Sequence, residues 1–131
     1  MYQPTKLFSV EEANQTLPLV SRIMQDIVRV NNETTAILAR MRRLGSQGRA
    51  QRLEESEVEL REREGQIAEY IEELESIGCL CKDPLLGLVD FPSRRQGRTV
   101  FLCWKLGEEE IRFWHELESG FAGRKPVQEG S

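Results

Sequence analysis

Apolar side chains recur at steps of three and four along the first half of the chain, then collect in short apolar or β-branched runs beyond it. Val20, Ile23, Ile27, Val30, Thr34, Ile37, Met41 and Leu44 form one unbroken stripe in which only Thr34 is polar, the spacing of an amphipathic helix. Upstream, Ser9-Val10-Glu11-Glu12 has the spacing of a capping box and predicts a helix start at about Val10. Pro18 has no amide hydrogen and crowds the carbonyl four residues earlier, so the pattern predicts a short helix, a kink near Thr16 and Leu17, and a long helix after it. Gly45-Ser46-Gln47-Gly48 stops that helix and predicts a tight reversal. A second stripe follows at Leu53, Ser56, Leu60, Arg63, Ile67, Tyr70, Leu74 and Ile77, with Gly78 placed as its C-terminal cap. At 1.5 Å per residue, about 27 residues of such a hairpin make an arm about 40 Å long.

Beyond Gly78, the runs Cys79 to Lys82, Leu88 to Pro92 and Thr99 to Trp104 predict a small antiparallel sheet, with Arg94-Arg95-Gln96-Gly97-Arg98 as the turn of a β-hairpin. Glu108, Glu109 and Glu110 carry the charge that a helix N-terminus favours, so a short C-terminal helix is expected to bury Ile111, Trp114, Leu117 and Phe121. The fold class expected is α+β, mainly α: a single domain over residues 1–126, in which residues 9–78 form the helical hairpin and residues 79–126 the β-hairpin and short helix. Residues 127–131 are expected to be a disordered tail.

The chain has 131 residues, 39% hydrophobic and 31% charged, with a formal net charge of −4. That length supports one modest core. No apolar run reaches the roughly 20 residues of a membrane span, and the N-terminus lacks the apolar stretch of a signal peptide, so the expected location is cytoplasmic. Three cysteines, Cys79, Cys81 and Cys103, are too few for a disulfide framework and are expected to be reduced thiols. Residues 40–52 hold five arginines and no acid, whereas residues 54–75 hold ten glutamates against Arg61 and Arg63. The arginine-rich tip has no interleaved aromatics and the chain is acidic overall, which argues against nucleic acid. Pairing of that tip with the glutamate-rich helix of another copy, or simply solubility, is the favoured reading.

Two helices alone leave much of both stripes wet, and a small sheet covers only one end. A homodimer through the helical hairpin is therefore expected.

No phosphate-loop, dinucleotide-binding or nucleophile-elbow motif is present. Candidate chemistry centres on the single histidine, His115. On a helix, Glu118 would lie one turn away, giving a weak metal pair His115 and Glu118, with Glu108, Asp90 or Cys103 able to add ligands. A site of three cysteines plus His115 is conceivable for zinc, though Cys79-Leu80-Cys81 lacks the turn that a zinc knuckle needs. Alternating small apolar residues on a half-buried strand explain these cysteines better. Arg94, Arg95, Arg98, Arg124 and Lys125 could gather around a small anion, with a solvated turn as the plain alternative.

Lys6-Leu-Phe-Ser-Val-Glu-Glu-Ala-Asn14, Leu17-Pro18-Leu19, Lys82-Asp83-Pro84, Gly87-Leu-Val-Asp-Phe-Pro92, Leu102-Cys-Trp-Lys-Leu-Gly-Glu108, Trp114-His-Glu-Leu117 and Gly120-Phe-Ala-Gly-Arg124 together resemble the bacterial domain of unknown function 2203 family. The resemblance spans nearly the whole chain and implies a small cytoplasmic protein of helical hairpin plus C-terminal sheet, with no particular activity or cofactor. Its motif matches at Asp90, Phe91, Pro92, Cys103, Trp104, Trp114, His115, Glu116, Gly120, Phe121, Gly123 and Arg124. These matches place a shared site where the β-hairpin meets the Trp114-His115 segment, with Asp90, Arg95, His115, Glu116 and Arg124 as ligand-binding candidates. Two functions remain open: a non-enzymatic, self-associating module that binds a protein partner or small ligand, and a metal- or anion-dependent enzyme around His115 and nearby carboxylates.

Overall fold

The computed structural model describes residues 2–128. Helix α1 (Val10–Ser46) begins at the capping box: the Ser9 hydroxyl accepts the Glu12 amide at 3.0 Å, and the Ser9 amide donates to the Glu12 carboxylate at 2.9 Å. The helix continues through Pro18 as one element, so the division into a short and a long helix expected near Thr16 and Leu17 does not occur. Proline forfeits one bond to the Asn14 carbonyl and crowds it, a cost of about 3 kcal/mol. Pro18 itself is exposed, whereas Leu17, Val20, Ile23 and Met24 are buried. Burying side chains of that size, at roughly 1.5–3 kcal/mol each, outweighs the interruption.

Gly48, with φ +68°, helps reverse the chain into α2 (Ala50–Ile77). That helix ends on Gly78 in the left-handed conformation, φ +112°, where a Cβ would meet Lys6 and Phe8 side chains at 3.2 Å. The long helical hairpin is thus as the stripes predict.

The described residues then form an antiparallel meander in which every strand pairs with its sequence neighbours: β1 (Leu80–Asp83), β2 (Leu88–Arg95), β3 (Arg98–Lys105), β4 (Phe113–His115) and β5 (Lys125–Pro126). Gln96 and Gly97, both at positive φ, make the two-residue turn between β2 and β3, whose backbone twist suits a tight hairpin. In the β2–β3 register Val89 faces Trp104, Phe91 faces Leu102 and Ser93 faces Val100. These side chains and Trp114 belong to one side of the sheet, and all but Ser93, whose hydroxyl donates to the Phe8 carbonyl, form the core with Phe8, Leu17, Val20, Met24 and Ile27 near the start of the chain and Leu74 on α2. The period of two sends Asp90, Pro92, Phe101, Cys103, Phe113 and His115 to the other side.

The short C-terminal helix expected after Gly107 is absent. Residues 113–115 form β4, and the only helical geometry that follows among the described residues is a 3₁₀ turn at Phe121–Gly123. Trp114 is buried on the helix side of the sheet while His115 is buried on the opposite side. A strand can place adjacent residues into two separate buried layers; a helix with one wet face cannot. At the start of the expected tail, the Val127 amide donates to the Arg112 carbonyl at 2.9 Å, and its side chain packs against the core. Residues 129–131 of the expected tail lie outside the described residues.

Candidate functional site

The outer sheet face brings together Asp90 from β2, Cys103 opposite it on β3, and His115 from β4. One ligand-type atom from each lies within 4.8 Å of the other two, and all three residues are buried. His115 is only 1% exposed. Its Nδ1 stands 2.7 Å from the Glu116 carbonyl oxygen, and its Nε2 stands 3.0 Å from Asp90 Oδ1. A carbonyl can only accept, so Nδ1 carries a proton and donates it. In a neutral imidazole Nε2 is then a bare acceptor facing a carboxylate, which also accepts when ionised. Two acceptors at that distance require a cation between them, and a proton shared by His115 and Asp90 is the simplest. Burial pushes the Asp90 carboxyl above its ordinary value, opposed by the hydrogen bond and charge of His115 and by the charge of Lys82.

The Cys103 thiol is pushed up to about 11, chiefly by burial, with the nearby Arg124 acting in the opposite direction. It is therefore protonated at neutral pH rather than poised as a nucleophile. Above this layer the Tyr2 ring packs on Phe101 at 5.4 Å, and Phe101 packs on His115 at 5.6 Å. Burial, followed by the Asp90 charge, raises the Tyr2 phenol.

Of the five ligand-binding candidates, Asp90 and His115 are joined side chain to side chain. Glu116 contributes its backbone carbonyl to His115, while its carboxylate accepts from Nε and Nη2 of the Arg98 guanidinium. Arg124 forks onto Glu108 at 2.9 and 3.0 Å, donates to the Cys103 carbonyl at 3.2 Å, and lies 4.0 and 4.5 Å from the Phe113 and Phe121 ring centres. Arg95 donates to the Val127 carbonyl and stacks over Trp114. The arginines expected around an anion are thus spread over separate partners, and carboxylates of the chain itself occupy the forks of Arg98 and Arg124.

Two sequence-based metal sets are corrected. Glu118 lies exposed in the turn after β4, not one helical turn from His115; Asp90 and Cys103 complete the group instead. Cys79 and Cys81 do not join Cys103. Cys79 precedes β1 within the helix-side core, and Cys81 pairs with Val89 on that same side of the sheet. All three cysteines are free thiols. Glu108 was missed as the partner of Arg124, because the expected helix placed it on a different element. The alternation of Phe113 and His115 around Trp114 was the available signal.

A helical hairpin carrying an antiparallel meander, with a buried carboxylate, thiol and imidazole on the meander's far side, defines a small α+β protein. No helix of the described residues is long and apolar enough to cross a membrane. The chain belongs to the DUF2203 family, described as an uncharacterized conserved protein, whose model matches residues 6–127. No curated protein and no solved structure matches it.

Proposed function

We propose that this protein is a non-enzymatic, self-associating binding module in which two copies pair through the distal part of the helical hairpin. The observation that carries the reading is the uncovered side of that arm. The core shared with the sheet ends at Ile27 on α1, and the remaining 19 residues of the helix extend about 28 Å further. Along this stretch Val30, Thr34, Ile37 and Leu44 are buried from α1, but only Ser56 is buried from the facing part of α2. Leu38, Leu60, Ile67, Ala68 and Ile71 line an open groove along one side of the two helices. Leu38 is 50% exposed. A second hairpin is the occupant that fits, since in an antiparallel arrangement its tip, with Arg42, Arg43, Arg49 and Arg52, meets the glutamates of residues 69–75.

The enzyme reading fits less well, because substrate must reach an imidazole that is 1% exposed and the arginine forks nearest to it already hold carboxylates. Reduced cysteines accord with the cytoplasmic location that belongs to the same proposal.

Sedimentation velocity on tag-free protein tests the pairing. A dimer at micromolar concentration, shifted to monomer by Leu38→Glu and weakened by Arg42→Glu with Arg43→Glu, is the expected result. A clean monomer throughout that range overturns it.

A further inference from the structure

We propose that Asp90, Cys103 and His115 together bind one divalent transition-metal ion of zinc's class. The inference does not depend on the pairing of two copies. A carboxylate oxygen, a sulfur and an imidazole nitrogen meet within 4.8 Å of one another. Around a tetrahedral zinc ion, donors at 2.0–2.3 Å from the metal stand roughly 3.3–3.6 Å from each other. The present Nε2 to Oδ1 separation of 3.0 Å therefore has to open by about 0.3–0.5 Å, and any donor separation as wide as 4.8 Å has to close by about 1.2 Å, a shift within reach of side-chain torsions.

Three features favour a metal over the shared proton alone. First, His115 donates Nδ1–H to a backbone carbonyl, the outer-shell bond that fixes the tautomer and turns the Nε2 lone pair toward a metal. Second, the donors sit on three adjacent, hydrogen-bonded strands, so the backbone holds their spacing before any ion arrives. Third, Cys103 is superfluous to a His–Asp pair, yet it supplies the sulfur that shifts the set from hard ions such as magnesium, which want oxygen, to zinc-like ions.

The charges also balance. Binding breaks the Cys103 S–H bond and displaces the proton shared by Asp90 and His115, and both protons pass to water. The ion's two positive charges then offset the thiolate and the carboxylate, so the buried site is neutral before and after.

The test uses the full chain stripped with chelator, then given Zn²⁺ or Co²⁺ alone. Because the donors are buried, the ion is supplied both to folded protein and during refolding. The expected result is one ion per chain by native mass spectrometry and, with cobalt, a thiolate-to-metal charge-transfer band with the intense visible absorption of a tetrahedral centre. Cys103→Ser should lose the charge-transfer band, and Cys81→Ser should keep it. Asp90→Asn, which preserves side-chain size, should weaken cobalt binding at least about tenfold, the loss that even an outer-shell partner produces. Circular dichroism identifies any variant that has failed to fold, and the stoichiometry of the unmodified chain decides the matter without variants. Absence of stoichiometric metal under both loading regimes overturns the proposal and leaves the shared proton. A band that survives Cys103→Ser, or that vanishes in Cys81→Ser, overturns it in favour of adventitious binding at another thiol.

Discussion

Removing Arg124 should cost far more than removing an ordinary surface arginine. The guanidinium is 14% exposed and its Glu108 partner 27%, which places the pair between surface and interior. Bonds to charged groups contribute about 1.5–3 kcal/mol, while exposed ion pairs rarely exceed about 1 kcal/mol. A coupling of about 1.5 kcal/mol between Arg124 and Glu108 follows from that intermediate burial. Stacking over Phe113 and Phe121 adds about 0.5–1 kcal/mol for each ring. Arg124→Ala should therefore destabilise by about 3 kcal/mol and lower Tm by roughly 10 °C. Glu108→Ala should cost less, about 2 kcal/mol, since the stacking survives. The assay is a double-mutant cycle by urea denaturation at one fixed protomer concentration, since the proposed self-association would make stability concentration-dependent. If the coupling falls below about 0.5 kcal/mol, the pair behaves like an exposed one and the reasoning from burial is refuted.

Ser9→Ala should destabilise by about 1 kcal/mol through loss of the cap, read from thermal unfolding. The Glu12 carboxyl is held below its ordinary value, first by the Ser9 backbone amide and then by the Ser9 side chain. Its contribution is thus present above the unfolded carboxyl's pKa and lost as pH falls through the lowered folded value; the Tm advantage over Glu12→Gln should close on acidification, and a gap independent of pH would contradict this. Gly87→Ala forces a side chain into φ +71° with its Cβ 2.8 Å from the Leu106 Cβ; a loss of more than about 1 kcal/mol is expected in chemical denaturation. Burial pushes Cys79 up to about 12 and Cys81 up to about 11, so both should react slowly with a disulfide reagent at pH 8 and rapidly in denaturant; fast labelling of the folded chain would be inconsistent with those environments.

Wherever one face of an element was buried, its sequence was readable. The stripe from Val20 to Leu44 follows the buried side of α1, and Gly78 ends α2 at the expected residue. The reversal between the second and third strands was visible, but the turn is only Gln96 and Gly97, and Arg94, Arg95 and Arg98, expected in the turn, extend the two strands. Pro18 misled because a local rule cannot weigh the core that holds both sides of the proline. Ile111 and Trp114 misled because a spacing of three suits one helical face, and the separate layer buried by His115 becomes apparent only once β3 lies beside it. At the site, chemistry singled out His115, with Asp90 or Cys103 as a possible added ligand, and the family resemblance raised Asp90 as a candidate, but the pairing of His115 with Asp90 depends on strands whose register no local pattern specifies. Cys103 was visible as a possible ligand; its separation from Cys79 and Cys81 is a consequence of which side of the sheet each occupies.

The meander has a kinetic consequence. Its strands join sequence neighbours, as do the two long helices, so most of the architecture forms by closing short loops, the contact pattern of fast-folding chains. The first residues are the exception. The Phe8 amide bonds the Pro92 carbonyl, the Ser93 hydroxyl bonds the Phe8 carbonyl, and the Ile111 amide bonds Asn14 across 97 positions of chain. Together with the packing of Leu17, Val20, Met24 and Ile27 on the sheet, this clasp is the long-range contact set that fastens the hairpin to the sheet, and loop-closure entropy predicts that it forms last. Changes at Phe8 or Asn14 should accelerate unfolding far more than they slow folding, making the N-terminal segment the latch that governs how long the native molecule persists.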